Sequence, residues 1–131
     1  MTSEIVWIDE REAVAIHDRL IVLHGGAAGV RDRALLQSAL ARPRQAAAYA
    51  DAPTIPELAA LYTAGVVKNH PFVDGNKRTG FLLGVLFLEL NGFAFTAKQE
   101  DAANAILALA EGASDEKSYA AFLQEAAQPR K

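Results

Sequence analysis

Within nine residues, from His70 to Arg78, the chain sets a histidine, an aspartate, an asparagine, a lysine and an arginine in the string HPFVDGNKR. These residue types handle phosphate. Lys77 offers a mobile point charge and Arg78 a planar fork of donors that matches phosphate oxygens. Gly75 lets the backbone approach closely, and a helix starting near Asn76 adds unpaired N–H groups at the positive end of its dipole. Asp74 is the single carboxylate among these cations. Mg²⁺ bound with a triphosphate commonly takes one or two protein carboxylates plus phosphate oxygens and waters, so Asp74 is assigned the metal. His70 titrates close to neutrality when unperturbed and is the candidate general base. Phe72, between polar neighbours, is expected to send its ring into the core and fix the loop.

Taken singly, each feature has an ordinary explanation. His70 alone reads as a surface or hydrogen-bonded histidine, and Asp74-Gly75-Asn76 alone reads as a turn. The combination is less ordinary. Lys77 and Arg78 at a helix start oppose the helix dipole, and an anionic ligand gives them a reason to be there. From the residues by themselves, the string is an anion site.

The elements that must carry this loop are helices. Asp9 with Glu12 reads as a capping box for a first helix through Ala13, Ile16, Leu20 and Leu23 that ends near His24. After the glycines Gly25, Gly26 and Gly29, Asp32 opens a second helix through Leu35, Leu36 and Leu40, which Pro43 is expected to stop, with a short helix allowed over Gln45 to Tyr49. Thr54-Ile55-Pro56-Glu57 opens a third helix that runs to Asn69, and Pro71 turns the chain out of the helix at His70. The fourth runs from Asn76 through FLLGVLFLEL to a C-cap at Gly92, and its all-round apolar character puts it in the middle of the domain. Phe93 to Phe95 alternates too briefly to be assigned a strand. Thr96 to Gln99 is expected to cap a further helix through Ile106 and Leu109, and Ser114 to start the last one through Tyr119, Phe122 and Leu123. The fold class is all-α, a single helical bundle occupying residues 1–131 as one domain.

Composition narrows the function. The 131 residues are 51% hydrophobic and 22% charged, as in an ordinary folded domain. With no cysteine, disulfides, thiolate metal sites and cysteine nucleophiles are excluded. The acidic start MTSEIVWIDERE is unlike a secretory leader, and the run from Phe81 to Leu88 is far short of the ~20 residues that span a bilayer, so a cytoplasmic protein without membrane contact is expected. A net charge of −3 gives no general attraction to nucleic acid, and direct nucleic-acid binding is not expected. No P-loop string occurs. His17 and His24 share a helix face without an evident third ligand and read as ordinary partly buried histidines. Trp7 and Ile5 read as N-terminal packing residues. Arg31, Arg33, Arg42 and Arg44 read as a solvated face, with contact to a target or an acidic partner as the lesser reading.

HPFVDGNKR matches every specified position of the Fic/Doc motif, His-x-Phe-x-Asp/Glu-Gly-Asn-Gly/Lys-Arg. The span from Leu58 to Gly92 and the earlier HGGAAGVRDRALLQSALARPR also resemble the death-on-curing, or Doc, branch of that family. The resemblance implies transfer of part of a nucleotide to a hydroxyl of a target protein, using ATP or another nucleoside triphosphate with Mg²⁺. It implies His70 as general base, Asp74 as metal ligand, Phe72 as core anchor, and Gly75, Asn76, Lys77 and Arg78 as the nucleotide-phosphate site, with Arg78 also catalytic. Relatives that transfer AMP usually carry glycine where Lys77 stands and a second arginine where Phe81 stands. Both departures favour terminal-phosphate transfer, although Gly75 follows the general motif where a Doc toxin can carry alanine. The resemblance further implies a toxin that phosphorylates elongation factor Tu, arrests translation and is neutralised by a separate small antitoxin. Some relatives carry their own inhibitory helix, written Ser/Thr-x-x-x-Glu-Gly/Asn. The nearest string, Thr96 to Asp101, ends on the wrong residue and reads as a capping box. AMP transfer is the alternative chemistry, and a catalytically silent binding module the alternative of another class.

Overall fold

The computed structural model describes residues 4–49 and 52–130. Six helices run in the order α1 (Glu10–His24), α2 (Arg33–Tyr49), α3 (Ile55–Asn69), α4 (Asn76–Leu90), α5 (Gln99–Glu111) and α6 (Glu116–Ala126). Two short strands, β1 (Phe93–Phe95) and β2 (Ala127–Pro129), pair antiparallel with Ala94 opposite Gln128. The fold is all-α.

The middle of the bundle is shared by α3 and α4. Helix α3 packs on α2, α4 and α6. It starts with a complete capping box, Thr54 accepting from Glu57 N–H and Glu57 accepting from Thr54 N–H. Its Leu58, Ala59, Tyr62, Ala64 and Val66 are buried against Leu83, Phe87 and Leu88 of α4 and Leu36 and Ala39 of α2. The approach of α3 to α4 depends on small residues. A Cβ on Gly80 would lie 3.0 Å from the Thr63 carbonyl oxygen, and one on Gly84 would overlap the Thr63 hydroxyl. That hydroxyl donates to the Gly80 carbonyl across the interface at 2.7 Å, so the two helices are fixed in register as well as distance. The motif loop, which joins them, therefore hangs from two closely packed helices.

Several boundaries differ from the expectations, most because of tertiary contacts and one because of a local cap. Pro43 does not stop α2, which continues to Tyr49. The buried face Leu36, Ala39, Leu40 and Pro43 carries on across the proline, and packing on α3 outweighs the local penalty of about 3 kcal/mol for an interior proline. Asn91, not Gly92, caps α4; its amide exchanges hydrogen bonds with the main chain of Val6, 2.8 Å from N–H and 2.9 Å to the carbonyl. Thr96 does not cap α5. Its N–H and its hydroxyl both donate to the Ala126 carbonyl, at 2.7 and 2.9 Å, extending the β1–β2 pairing, and α5 begins after Lys98 without a side-chain cap. The last helix is capped by Asp115 and not Ser114, the carboxylate accepting from Ser118 N–H at 2.8 Å, where a negative charge suits the helix dipole. Phe93 to Phe95 is a strand after all because Ala127–Pro129 returns to pair with it. Among the described residues no helix is long and apolar enough to cross a membrane.

Candidate active site

His70 closes α3 in a left-handed conformation, φ 49° and ψ 53°, its N–H donating to the Val66 carbonyl. Pro71 forbids the helix from continuing through this point. The next residue but one, Phe72, is fully buried and its ring stacks face to face on His17 of α1, centroids 3.9 Å apart and planes 6° from parallel. Phe72 is thus the anchor expected of it. The loop then passes Asp74 and enters α4 through Gly75, whose left-handed φ of 75° makes the turn.

The first turn of α4 is open. Gly75 supplies no side-chain cap, and the first backbone bond into the turn is from Thr79 N–H to the Gly75 carbonyl. Among the described residues nothing accepts from the N–H groups of Asn76, Lys77 and Arg78. Three unpaired donors at the positive end of a helix, with the exposed side chains of Lys77 and Arg78 beside them, form a cradle for an anion.

Asp74 sits at the rim of this cradle. One carboxylate oxygen accepts from Ala27 N–H at 3.1 Å and the other from Gly75 N–H at 2.9 Å. The Ala27 bond first, then the Gly75 bond, hold its pKa below the ordinary aspartate value. The carboxylate is therefore ionised at neutral pH, exposed and fixed in direction, with lone pairs left over. That donor set fits a hard divalent cation completed by phosphate oxygens and waters.

Asn76 contributes to the loop through its side chain. Its side chain is buried and committed to the loop itself, accepting from Phe72 N–H at 3.0 Å and donating to the Phe72 carbonyl at 3.0 Å. Only its main-chain N–H faces the cradle. Its Nδ2 also lies 3.3 Å from His70 Nδ1, a long contact that exists as a hydrogen bond only when the imidazole proton is on Nε2.

A cavity of about 640 Å³ opens beside Lys77 and Arg78, walled by Leu20 of α1, Phe81 of α4 and Ile106 of α5, with His24 at its edge. It is a largely apolar space contiguous with a phosphate-sized cradle.

A family description, the Fic/DOC family, matches residues 7–88, well over half the chain. The chain belongs to the Fic/Doc family. It is 33% identical over 85 residues to the protein kinase doc of Escherichia phage P1, which covers 65% of this chain and 68% of that protein. It is 39% identical over 77 residues to the toxin Doc of Mycolicibacterium smegmatis, covering 58% of this chain and only 59% of that relative. The part of the Fic/Doc chain that lies beyond the family match begins at Glu89, so the strand pair, α5 and α6 are outside it.

Beyond the motif string, the Fic/Doc loop is gripped by residues from the α1–α2 connection. Val73 N–H donates to the Gly29 carbonyl, Val30 bridges Phe72, and the N–H groups of Arg31 and Asp32 both donate to the Pro71 carbonyl. His17 does not share an environment with His24. It is 1% exposed while His24 lies at the surface, and its Nε2 donates to the Asp74 carbonyl at 2.7 Å, while its Nδ1 has no hydrogen-bond partner among the described residues. Sequence reasoning missed this residue because its partners are 55 and 57 positions away; the one signal available was its place on the apolar stripe with Ala13 and Leu20.

Proposed function

We propose that this chain is a nucleotide-dependent transferase of the Doc kind, moving the terminal phosphate of ATP to a hydroxyl of a target protein. The observation that carries the reading is the open first turn of α4: unpaired N–H donors, two exposed cations and an ionised, oriented carboxylate belong to one loop and the helix start it enters. Such an arrangement positions phosphates and stabilises charge, which is most of what phosphoryl transfer asks of a protein. In the proposed step the target oxygen bonds to the terminal phosphorus, the bond from that phosphorus to its bridging oxygen breaks, and ADP leaves. His70 takes the hydroxyl proton. For this its Nε2 must be the bare nitrogen, with the ring proton on Nδ1; the imidazole must then swing away from the Asn76 NH₂ group, which Phe72 holds in place. Arg78 and the amides of the cradle hold the phosphate oxygens, Mg²⁺ on Asp74 would supply further charge neutralisation, and the apolar cavity takes the nucleoside.

Terminal-phosphate transfer is favoured over AMP transfer by Lys77. Its exposed side chain adds bulk and positive charge at the cradle's mouth, where a glycine would leave the amides open to seat a phosphate more deeply. The resemblance to Doc, with a kinase and a toxin among its relatives, supports reading the protein as a cytoplasmic toxin with elongation factor Tu as target and a separate antitoxin as restraint. ATP labelled at the terminal or at the first phosphate, incubated with Mg²⁺ and host lysate, tests the chemistry. Terminal label on a protein band, lost with His70→Ala, is the expected result. First-phosphate label would mean AMP transfer, and no label from either a silent binding module.

A further inference from the structure

Four arginines cluster in the α1–α2 connection and α2, and three are accounted for without reference to the loop. Arg33 pairs with Glu10 at 2.7 Å, Arg42 with Glu116 at 2.6 Å, and the Arg44 guanidinium lies 5.2 Å from the centre of the Trp7 ring. Arg31 is different. It has no carboxylate partner among the described residues, and it turns instead to three consecutive carbonyls at the end of α3. Its Nη2 donates to Asn69 at 3.0 Å, its Nε to His70 at 2.7 Å, and its own main-chain N–H to Pro71 at 2.7 Å. Carbonyls at a helix C-terminus carry the negative end of the dipole and lack helical partners, so a guanidinium fork spanning two of them is complementary in charge and in shape.

The middle carbonyl belongs to His70, which holds the left-handed conformation that residues with a Cβ disfavour. Something must hold it there. The His70 N–H bond to Val66 fixes one side of the residue, and Arg31 fixes the other.

We propose that Arg31 is a positioning residue for His70: by clasping the Asn69, His70 and Pro71 carbonyls it fixes the left-handed turn that directs the imidazole towards the start of α4. The inference rests on the reading of His70 as general base. It assigns a role in the reaction to an exposed arginine outside the motif string, and it separates holding the base from binding the nucleotide, which Arg31 does not touch the cradle to do.

The test compares Arg31→Ala and Arg31→Lys with the unaltered protein and with His70→Ala, measuring kcat and KM for ATP. A misplaced base costs rate and not nucleotide affinity, so Arg31→Ala is expected to lower kcat about 10–100-fold with KM for ATP within about twofold. Arg31→Lys keeps the charge at the helix end without the fork and is expected to fall between; it also carries the test should the alanine variant not fold. Methylguanidinium added to Arg31→Ala is expected to restore part of the rate. In ¹⁵N spectra the His70 ring signals are expected to shift in Arg31→Ala while those of His17 stay in place. Unchanged kcat in either folded variant overturns the proposal, as does a raised KM with kcat kept, which would make Arg31 a nucleotide contact. Full activity of His70→Ala would instead overturn the assignment of the base itself.

Discussion

Replacing Gly26 by alanine separates the strain of a turn from the aim of the Asp74 carboxylate. Gly26 has φ +115°, and a Cβ built there would stand 2.8 Å from Asp74 Oδ2 and 3.2 Å from Ile21 Cδ1. Ordinary contact begins at 3.4 Å, so the carboxylate must retreat, and the simplest retreat breaks its bond from Ala27 N–H, the residue next along the chain. Gly25 is the control. It too has a positive φ, +82°, but a Cβ there meets nothing within 4 Å. Both alanine variants therefore carry the backbone penalty, about 1–3 kcal/mol each, and urea unfolding should report losses of that size for both. Only Gly26→Ala displaces the Asp74 oxygen proposed to hold Mg²⁺. The retreat from 2.8 to 3.4 Å is about 0.6 Å; with about 1 Å of misplacement costing on the order of 10²-fold, it is expected to cost on the order of 10-fold in rate. Initial rates of labelled phosphate transfer across a Mg²⁺ titration should show Gly26→Ala slower by about that factor and needing more Mg²⁺, with Gly25→Ala close to normal. Equal Mg²⁺ responses in the two variants would refute the reasoning that the Gly26 backbone aims Asp74.

Asp74→Asn should abolish most Mg²⁺-dependent turnover, and its single amide oxygen can keep only one of the two loop bonds from Ala27 and Gly75; normal metal response would move the ion elsewhere. His17→Ala removes the ring stacked on Phe72 at 3.9 Å and the 2.7 Å bond to the Asp74 carbonyl, and should destabilise the fold by about 2–4 kcal/mol in urea unfolding. A loss below about 1 kcal/mol would contradict the description of His17 as the buried support of the loop. Burial pushes the Glu116 carboxyl up, but the hydrogen bond and charge of Arg42, with those of Lys68, outweigh it and leave its pKa below 4.5. Its contribution to stability is therefore present above the ordinary glutamate range and lost as pH falls through the lowered value, so Glu116→Gln should be less stable than the parent near neutrality and lose less on acidification. Urea midpoints measured at about pH 7 and about pH 3 check this.

The place of the candidate site was legible because its motif residues are contiguous. His70, Asp74, Gly75, Lys77 and Arg78 lie on one loop between two helices whose start and stop signals are strong, Thr54 with Glu57 before and Pro71 between. What holds that loop was not legible. His17, Ala27 and Arg31 reach it from 39 to 57 positions away, and nothing local in their neighbourhoods marks them. Arg31 reads as one more solvated cation until α3 is seen to end against it. The part Asn76 plays in the loop was not legible either: its buried side-chain amide satisfies the main chain of Phe72, and its N–H is left for the cradle. The local signals of Pro43 and Thr96 are overridden, the first by a buried face shared with α3 and the second by a strand partner 30 positions on.

Intact-mass measurement of purified elongation factor Tu, after incubation with Mg²⁺, ATP and either the unaltered protein or His70→Ala, tests the central claim most directly. The account predicts one phosphoryl-sized increment with the unaltered protein and none with His70→Ala. An AMP-sized increment would contradict the reading of Lys77 and of the transferred group, and a phosphoryl increment that survives His70→Ala would contradict the assignment of the base on which the whole account of the site depends.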